Sequence, residues 1–230
     1  MKTLGLIGGM SWESSREYYR LINEKIRAEL GGLHSAKILM YSVNFEEIEM
    51  LRKSGDWAGI AEILIDTAVK LEKAGADYIM ICTNTMHKMA GDVQKNIGVP
   101  LLHIADAAAE AIIGKSMKKV GLLGTRFTME QDFYKTRIKE KYGIDVITPP
   151  DAEREIIHRT IYEELCRGEI KSASRAEFVK IIERLAGQGA EGVILGCTEI
   201  PLLVGQEDSP IPVFDTTALH AEYAVNEALL

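Results

Sequence analysis

Two Cys-Thr pairs are the residues of this sequence best suited to chemistry. Cys82–Thr83 follows the apolar run Tyr78–Ile81, and Cys197–Thr198 comes shortly after Val193–Leu195. A lone free cysteine usually packs as a small hydrophobe, but the same pair at the same place after two apolar runs favours a functional role. Beside loop amides and a helix start, a thiol can have a lowered pKa and act as a nucleophile or base. The third cysteine, Cys166, lies in a helical pattern and is predicted to pack.

Two such thiols are compatible with four chemistries: a disulfide, a metal site, a nucleophile with a separate base, or proton transfer by two bases. An odd number of cysteines is typical of free thiols in a reducing cytoplasm, which disfavours a disulfide. No CxxC or HxxxH spacing indicates zinc, so no metal is expected. In the two-base case, one thiolate removes a Cα proton while the opposite thiol returns one to the other face. The last two alternatives stay open at this point.

The elements that must position these pairs alternate between strands and helices. Short apolar runs without polar alternation are typical of strands in a parallel sheet covered on both faces. The predicted strands are Thr3–Ile7, Lys37–Val43, Tyr78–Cys82, Pro100–His103, Val120–Leu123, Asp145–Ile147, Val193–Leu195 and Val213–Phe214. Longer amphipathic stretches between them predict helices, including Trp12–Leu30 and Thr128–Lys141. Ser14 with Glu17 and Thr128 with Gln131 have the spacing of capping boxes at helix starts; for Ser14, a position one turn inside its helix is the alternative. The alternation predicts an α/β architecture.

Three segments of the first half return in the same order in the second half. LGLIGGMSWESSREYY matches VGLLGTRFTMEQDFY, GADYIMICTN matches GAEGVILGCTE, and VPLLHIADAAAEA matches IPVFDTTALHAEYA, at offsets of 112 to 116 residues. The repeat predicts two similar doubly wound parallel-sheet domains related by a pseudo-twofold axis. Ligands of open parallel sheets bind beyond the carboxyl ends of the strands. We therefore expect Cys82 and Cys197 to face one cleft between the halves from opposite sides.

The composition excludes several classes of protein. With 230 residues, 47% hydrophobic and 27% charged, the chain has ordinary globular values. Its net charge of −7 argues against a nucleic-acid-binding surface. No apolar run approaches the roughly 18 residues of a membrane span, so no membrane partner is expected. The N-terminal stretch fits a strand better than a signal peptide, which agrees with a cytoplasmic location.

The turns next to the Cys-Thr pairs supply candidate substrate-binding groups. Met10 and Ser11 lie in the first glycine-containing strand–helix turn, where backbone amides and a helix start favour an anion; an ordinary tight turn is the alternative. Thr125 occupies the equivalent turn of the second half. On the loops that follow the cysteines, hydroxyl, amide and N–H groups can meet the substrate α-carboxylate, and Glu199 is placed to meet the ammonium group. These loop residues are Thr83, Asn84, Thr85, Thr198 and Glu199.

Charged residues and one histidine complete the candidates. Arg52 and Arg167 are candidates to pair with a substrate carboxylate, with a solvated surface charge as the alternative for each. His87 either orients the loop after Cys82 or simply packs. GLIGG lacks the GxGxxG spacing of a dinucleotide site, and we identify no lysine for pyridoxal phosphate, so no cofactor is expected.

Five segments together resemble the aspartate/glutamate racemase family, especially its bacterial amino-acid racemase branch. They are LGLIGGMSWESS, GGLHSAKILMYSVNF, CTNTMHKMA, LLGTRFTMEQDFY and VILGCTEIPLL, and the resemblance covers essentially the whole chain. It implies a cofactor-independent racemase of aspartate or glutamate with Cys82 and Cys197 as the two acid/base residues. Resemblance to glutamate racemases suggests that Cys197 deprotonates the L-enantiomer and Cys82 the D-enantiomer. An arginine near position 52 lies by the side-chain carboxylate in this family.

The resemblance also implies the domain organisation and the assembly. Residues 1–103 and 208–230 would form the first half and residues 104–207 the second, because the C-terminal segment crosses back. Family members are commonly dimers, so a homodimer is expected. The alternatives are a maleate cis-trans isomerase, a hydantoin racemase or a non-catalytic amino-acid binding protein; two retained thiols argue against mere binding.

Overall fold

The computed structural model describes all 230 residues and contains two four-stranded parallel sheets with flanking helices. The strands are β1 (Thr3–Gly8), β2 (Lys37–Ser42), β3 (Tyr78–Ile81), β4 (Leu101–Leu102), β5 (Lys119–Gly124), β6 (Asp145–Ile147), β7 (Gly192–Gly196) and β8 (Val213–Asp215). The α-helices are α1 (Trp12–Leu30), α2 (Phe45–Ser54), α3 (Trp57–Lys73), α4 (Ala90–Lys95), α5 (Ile104–Gly114), α6 (Arg126–Glu130), α7 (Asp132–Tyr142), α8 (Asp151–Glu163), α9 (Ser172–Gly187) and α10 (Thr216–Leu229). Short 3-10 helices cover Thr85–Met89, Leu165–Arg167, Ile200–Leu202 and Gln206–Asp208. None of the helices has both the length and the hydropathy needed to cross a bilayer.

The chain divides into two compact units. Unit 1 comprises Met1–Ile104 and His220–Leu230, and unit 2 comprises Ala105–Leu219. Their sheets have the orders β2-β1-β3-β4 and β6-β5-β7-β8, which is the same order in each repeat. The predicted α/β class with two similar parallel sheets is therefore confirmed.

The return to unit 1 lies later in the chain than the position 208 expected from the sequence. Val213 pairs in parallel with Val193, and Asp215 pairs with Leu195, so β8 is an edge strand of the second sheet. The crossing then falls inside α10, between Leu219 and His220.

Helices cover both faces of the first sheet. Successive side chains of a strand point to opposite faces of the sheet, so each strand contributes apolar residues to both. Ile7, Ile79 and Ile81 belong to a cluster with residues of α2, α3 and α4. Leu6 and Met80, which point the other way, pack in a second cluster with residues of α1 and α10. These continuous apolar strands are what a doubly covered parallel sheet requires.

The second sheet places glycines where its strands and helices approach closely. A Cβ on Gly121 would lie 2.9 Å from Leu185 of α9, so the missing side chain lets this helix pack on β5. Gly124 and Gly196 are paired at the ends of β5 and β7. A Cβ on Gly196 would meet the Leu123 carbonyl at 2.9 Å. The helices packed on this face bury a cluster that includes Phe178 from α9.

Two helix starts differ from the simplest interpretation of the sequence. Ser11 caps α1 by accepting the Ser14 N–H at 3.4 Å, so the Ser14–Glu17 pattern lies one turn inside the helix. The prediction of one helix over Thr128–Lys141 is wrong, because α6 starts after Thr125 and ends before Gln131. Thr125 Oγ1 accepts the Thr128 N–H, which moves the cap three residues upstream of Thr128.

Candidate active site

Cys82 lies at the carboxyl end of β3 in unit 1. Its side chain is 1% exposed and belongs to the cluster that packs against α1 and α10. The Cys82 N–H donates to the Ile7 carbonyl at 3.0 Å, which continues the ladder between β1 and β3 by one residue. The Ser14 hydroxyl donates to the Cys82 carbonyl at 3.0 Å. Both backbone groups of Cys82 are thus fixed by neighbouring elements.

The turn after β1 lies beside Cys82 because Ile7 and Ile81 are paired in register. Gly9 has a φ of +91°, and a Cβ there would lie 2.2 Å from the Val43 carbonyl, so only glycine fits. The Gly9 N–H donates to Ser15 Oγ at 2.7 Å, and this hydroxyl donates to the Ser11 carbonyl at 3.0 Å. The predicted residues Met10, which is buried, and Ser11 therefore lie on a turn that is tied to α1.

The residues after Cys82 form a buried loop and a 3-10 turn. The Thr83 N–H donates to the Ile81 carbonyl at 2.9 Å, and Asn84 and Thr85 are both buried. The Thr83 carbonyl lies 2.8 Å from Nδ1 of His87. The candidates Thr83, Asn84 and Thr85 are thus adjacent to Cys82 on a loop held by His87.

Arg52 lies in the last turn of α2, where its guanidinium is occupied by an ion pair. Its Nε and Nη2 donate to the two carboxylate oxygens of Glu49 at 2.7 and 2.6 Å. Both side chains are mostly buried, at 15% and 13% exposure. A substrate carboxylate at Arg52 would therefore have to share the guanidinium with Glu49 or replace it.

Cys197 lies one residue beyond β7 in unit 2 and is half-buried. Its Sγ donates to Glu199 Oε2 at 3.0 Å. The Thr198 hydroxyl donates to the same oxygen at 2.7 Å. Glu199 is predicted from the sequence to meet an ammonium group; in the structure its carboxylate accepts the hydrogen bonds of the Cys197 thiol and the Thr198 hydroxyl.

Burial raises the pKa of both thiols. Cys82 is enclosed by apolar side chains, and desolvation of the thiolate raises its pKa well above the ordinary value. Desolvation also raises the pKa of Cys197, and the negative charge of Glu199 raises it further. These directions are opposite to the lowering of the thiol pKa that the loop amides were expected to produce, and they favour the protonated form of both thiols.

Thr125 and Arg167 lie in different parts of unit 2: Thr125 at the edge of the sheet and Arg167 on an exposed turn. Thr125 and Cys197 directly follow the paired residues Gly124 and Gly196, so they are neighbours at the carboxyl edge of the second sheet. Arg167 is exposed at the end of a 3-10 turn, next to Cys166. Cys166 contributes to the raised pKa of Cys197, so this turn lies within electrostatic reach of the second thiol. The prediction that Cys166 packs is wrong, because it is exposed.

Sequence reasoning missed Ser14 as a group that positions Cys82. The signal available was the helical spacing of Ser14 and Tyr18, which places both on the buried face of α1. Its bond to a residue 68 positions away had no sequence signal. No three His, Cys, Asp or Glu side chains are grouped to hold a metal ion.

The two units share one strand order, and each carries a Cys-Thr pair at the carboxyl end of its third strand, so the chain is an α/β protein of two similar parallel-sheet units. The sequence profile of the Asp/Glu/Hydantoin racemase family matches residues 7–224. The chain belongs to this family.

Individual relatives agree with that membership. The broad specificity amino-acid racemase RacX of Bacillus subtilis is 27% identical over 173 residues, covering 72% of this chain and 71% of the relative. A crystal structure of an aspartate racemase homologue from Pyrococcus horikoshii is 38% identical, with a TM-score of 0.88 and full coverage of both chains. Francisella tularensis glutamate racemase in complex with D-glutamate is 17% identical, covers 99% of this chain and 81% of that one, and has a TM-score of 0.67, which shows a common fold.

Proposed function

We propose that this protein is a cofactor-independent racemase that interconverts L- and D-aspartate, L- and D-glutamate, or both. The observation that carries the proposal is the placement of Cys82 and Cys197 at matching strand ends, one residue past β3 and β7, in a chain of the racemase family. Similarity to RacX and to the aspartate racemase homologue supports an amino acid as the substrate.

In the proposed mechanism the two thiols act on opposite faces of the substrate Cα. One cysteine, as thiolate, removes the Cα proton and becomes a thiol, and the other, as thiol, donates its proton to the opposite face and becomes a thiolate. The enzyme then carries the reverse protonation state, ready for the product enantiomer. General acid–base catalysis of this kind contributes typically about 10²–10⁴-fold to the rate.

Formation of the first thiolate needs a proton acceptor because both thiols are protonated at rest. Glu199 is the acceptor in place for Cys197: its carboxylate already receives the S–H hydrogen bond at 3.0 Å. Transfer along this bond gives the Cys197 thiolate and a neutral Glu199. The assignment of Cys197 to the L-enantiomer and of Cys82 to the D-enantiomer is the one that the resemblance to glutamate racemases suggests.

The remaining candidates bind the substrate in this proposal. N–H and hydroxyl groups of the loops after the cysteines stabilise the carboxylate as it gains enolate character. These residues are Thr83, Asn84, Thr85 and Thr198, with Met10, Ser11 and Thr125 on the neighbouring turns. Arg52 and Arg167 are the proposed cationic partners of the side-chain carboxylate.

The assembly and location form a separate part of the proposal. We propose a homodimer in the cytoplasm, supported by the family resemblance and by three unpaired cysteines. Light scattering during size-exclusion chromatography measures the assembly, and a monomer mass would contradict it.

The decisive experiment incubates each enantiomer of aspartate and glutamate with the protein in D₂O, with no added cofactor. We expect loss of optical activity together with deuterium at Cα, measured by chiral chromatography and proton NMR. Cys82→Ser and Cys197→Ser should each lower the rate at least about 100-fold, whereas Cys166→Ser, which removes an exposed thiol that follows neither β3 nor β7, should change the rate far less. Racemisation by either single active-site variant at the wild-type rate, or no exchange with any of these amino acids, would overturn the proposal.

A further inference from the structure

A cluster of three buried histidines lies in unit 1 beside the Cys82 loop. The rings of His87 and His103 are 4.5 Å apart, and those of His87 and His220 are 5.7 Å apart. All three side chains are at most 5% exposed. The mechanism above uses none of them.

The hydrogen bonds of His87 determine its protonation. The Ile104 N–H donates to Nε2 of His87, and the two nitrogens are 3.2 Å apart. Nε2 must act as the acceptor, because a backbone amide can only donate its proton. Nε2 is therefore unprotonated, and the proton of the neutral ring sits on Nδ1, which donates to the Thr83 carbonyl at 2.8 Å. His87 thus joins the loop after Cys82 to the start of α5.

His220 has the opposite tautomer and keeps the cluster in place. Its Nε2 is 2.8 Å from the Leu102 carbonyl and must donate to it. Its Nδ1 then accepts the Tyr18 hydroxyl at 2.9 Å. With both ring nitrogens engaged, His220 provides a rigid wall against which the His87 ring packs.

The second half of the repeat has no histidine at the position equivalent to His87. The residue 115 positions after His87 is Leu202, which is exposed. The loop after Cys197 is instead bridged by Glu199, whose oxygen accepts from both Cys197 and Thr198. One thiol loop is therefore held by a neutral ring through a backbone carbonyl, and the other by a carboxylate that contacts the thiol itself.

We propose that His87 is a positioning residue for Cys82, acting through the hydrogen bond from Nδ1 to the Thr83 carbonyl. This inference rests on the proposed function, in which Cys82 transfers a proton. The bond fixes the peptide that follows Cys82, and Ser14 fixes the carbonyl of Cys82 itself. Misplacement of a catalytic group by about 1 Å can cost on the order of 100-fold in rate, so a loosened loop affects Cys82 strongly and Cys197 little.

Two substitutions separate the two bonds of His87. In His87→Asn the side-chain amide nitrogen falls where Nδ1 was and can still donate to Thr83. In His87→Gln the terminal oxygen falls near the former Nε2 and can still accept from Ile104, while the bond to Thr83 is lost. We expect His87→Asn to stay within about threefold of the wild-type kcat and His87→Gln to lose about 10–100-fold, with little change in KM.

Isotope effects show which proton transfer is impaired. The equilibrium constant of racemisation is unity, so kcat/KM must change equally in both directions and cannot make this distinction. With Cα-deuterated substrates, His87→Gln should raise the isotope effect for the enantiomer whose proton Cys82 removes and lower it for the other. Glu199→Gln, which disturbs Cys197, should shift the two isotope effects in the opposite sense.

A measurement without turnover keeps this inference separate from the proposed activity. Alkylation of Cys82 by iodoacetamide, followed by peptide mass spectrometry, should be faster in His87→Gln than in wild type and unchanged in His87→Asn, with Cys197 labelling equal in all three. Equal Cys82 labelling of His87→Gln and wild type, isotope effects that move in the same sense as in Glu199→Gln, or equal impairment of both His87 variants would overturn the positioning role. A wild-type protein that labels as expected but racemises nothing would contradict the proposed function alone. If His87→Gln does not fold, impaired turnover of a folded His87→Asn refutes the role.

Discussion

Tyr18 and Tyr134 occupy matching places in the two repeats but differ in their hydrogen bonding. Both are fully buried. The Tyr18 hydroxyl donates to Nδ1 of His220 at 2.9 Å, whereas the Tyr134 hydroxyl has no hydrogen-bond partner. By the repeat offset of 112 residues, Ala108 stands where His220 stands in unit 1. The same substitution, tyrosine to phenylalanine, should therefore have opposite effects at the two sites.

In Tyr18→Phe the loss of the hydroxyl leaves a buried imidazole nitrogen without its donor. An unsatisfied buried acceptor costs about 1–3 kcal/mol, so we expect the free energy of unfolding to fall by about 2 kcal/mol. In Tyr134→Phe the hydroxyl that disappears had been buried without a bond, and its removal relieves a desolvation cost. We expect this variant to range from unchanged to about 1 kcal/mol more stable.

Urea unfolding followed by circular dichroism measures both effects. For a chain of this size, about 2 kcal/mol corresponds to a fall of roughly 4–8 °C in Tm, so thermal scans provide a second test. Equal destabilisation by the two variants would refute the reasoning, because the hydroxyl of Tyr134 would then be making a bond of its own. A stable Tyr18→Phe would show that His220 does not need its donor.

Three other predictions concern thiols and charge. Iodoacetamide at pH 8 should label the exposed Cys166 before Cys82 or Cys197, since burial raises the pKa of both other thiols; prior labelling of either, seen by mass spectrometry, would contradict this. Glu199→Gln should lower the pKa of the Cys197 thiol, because a negative charge is removed; thiolate absorbance near 240 nm against pH measures it, and an unchanged midpoint would mean that burial alone sets the pKa. Burial raises the pKa of Asp106, but hydrogen bonds from Arg137 and Lys141 outweigh it and lower the pKa below 3.8. The resulting stability is present above the unfolded pKa and lost as pH falls through the folded one, so Asp106→Asn should cost about 1–2 kcal/mol at pH 7 and less at pH 3, and a pH-independent cost in urea titrations would refute the ion-pair account.

Much of the fold was predictable because its signals are local or repeated. Continuous apolar runs predicted the strands, and the repeat predicted two similar sheets. The break between α6 and α7 was not predictable from periodicity, since it lies at Gln131, whose backbone is extended although the helical pattern continues through it. The crossing point inside α10 depends on β8 pairing with β7, which is a tertiary contact.

In the candidate site, too, features with a local sequence signal were predictable, and features that depend on side-chain direction or on distant contacts were not. The strand ends placed Cys82 and Cys197, and the i, i+3 spacing of Glu49 and Arg52 in a helix was enough to anticipate their ion pair. The contact of Glu199 with Cys197 spans only two residues, yet it depends on the direction of the side chain in a loop, which no pattern encodes. The bond between His220 and Leu102 joins residues 118 positions apart and leaves no trace in local sequence.

The crossing inside α10 has a consequence for the order of folding during synthesis. Unit 2 is one uninterrupted stretch of chain, so all of its strands are available once Leu219 has been made. Unit 1 is made first but stays incomplete, because Ala221, Ala224 and Val225 belong to the core cluster that contains Cys82. On the ribosome, most of unit 1 is therefore translated before unit 2, but the core around Cys82 is completed only after unit 2, when the residues of α10 that follow Leu219 have been made.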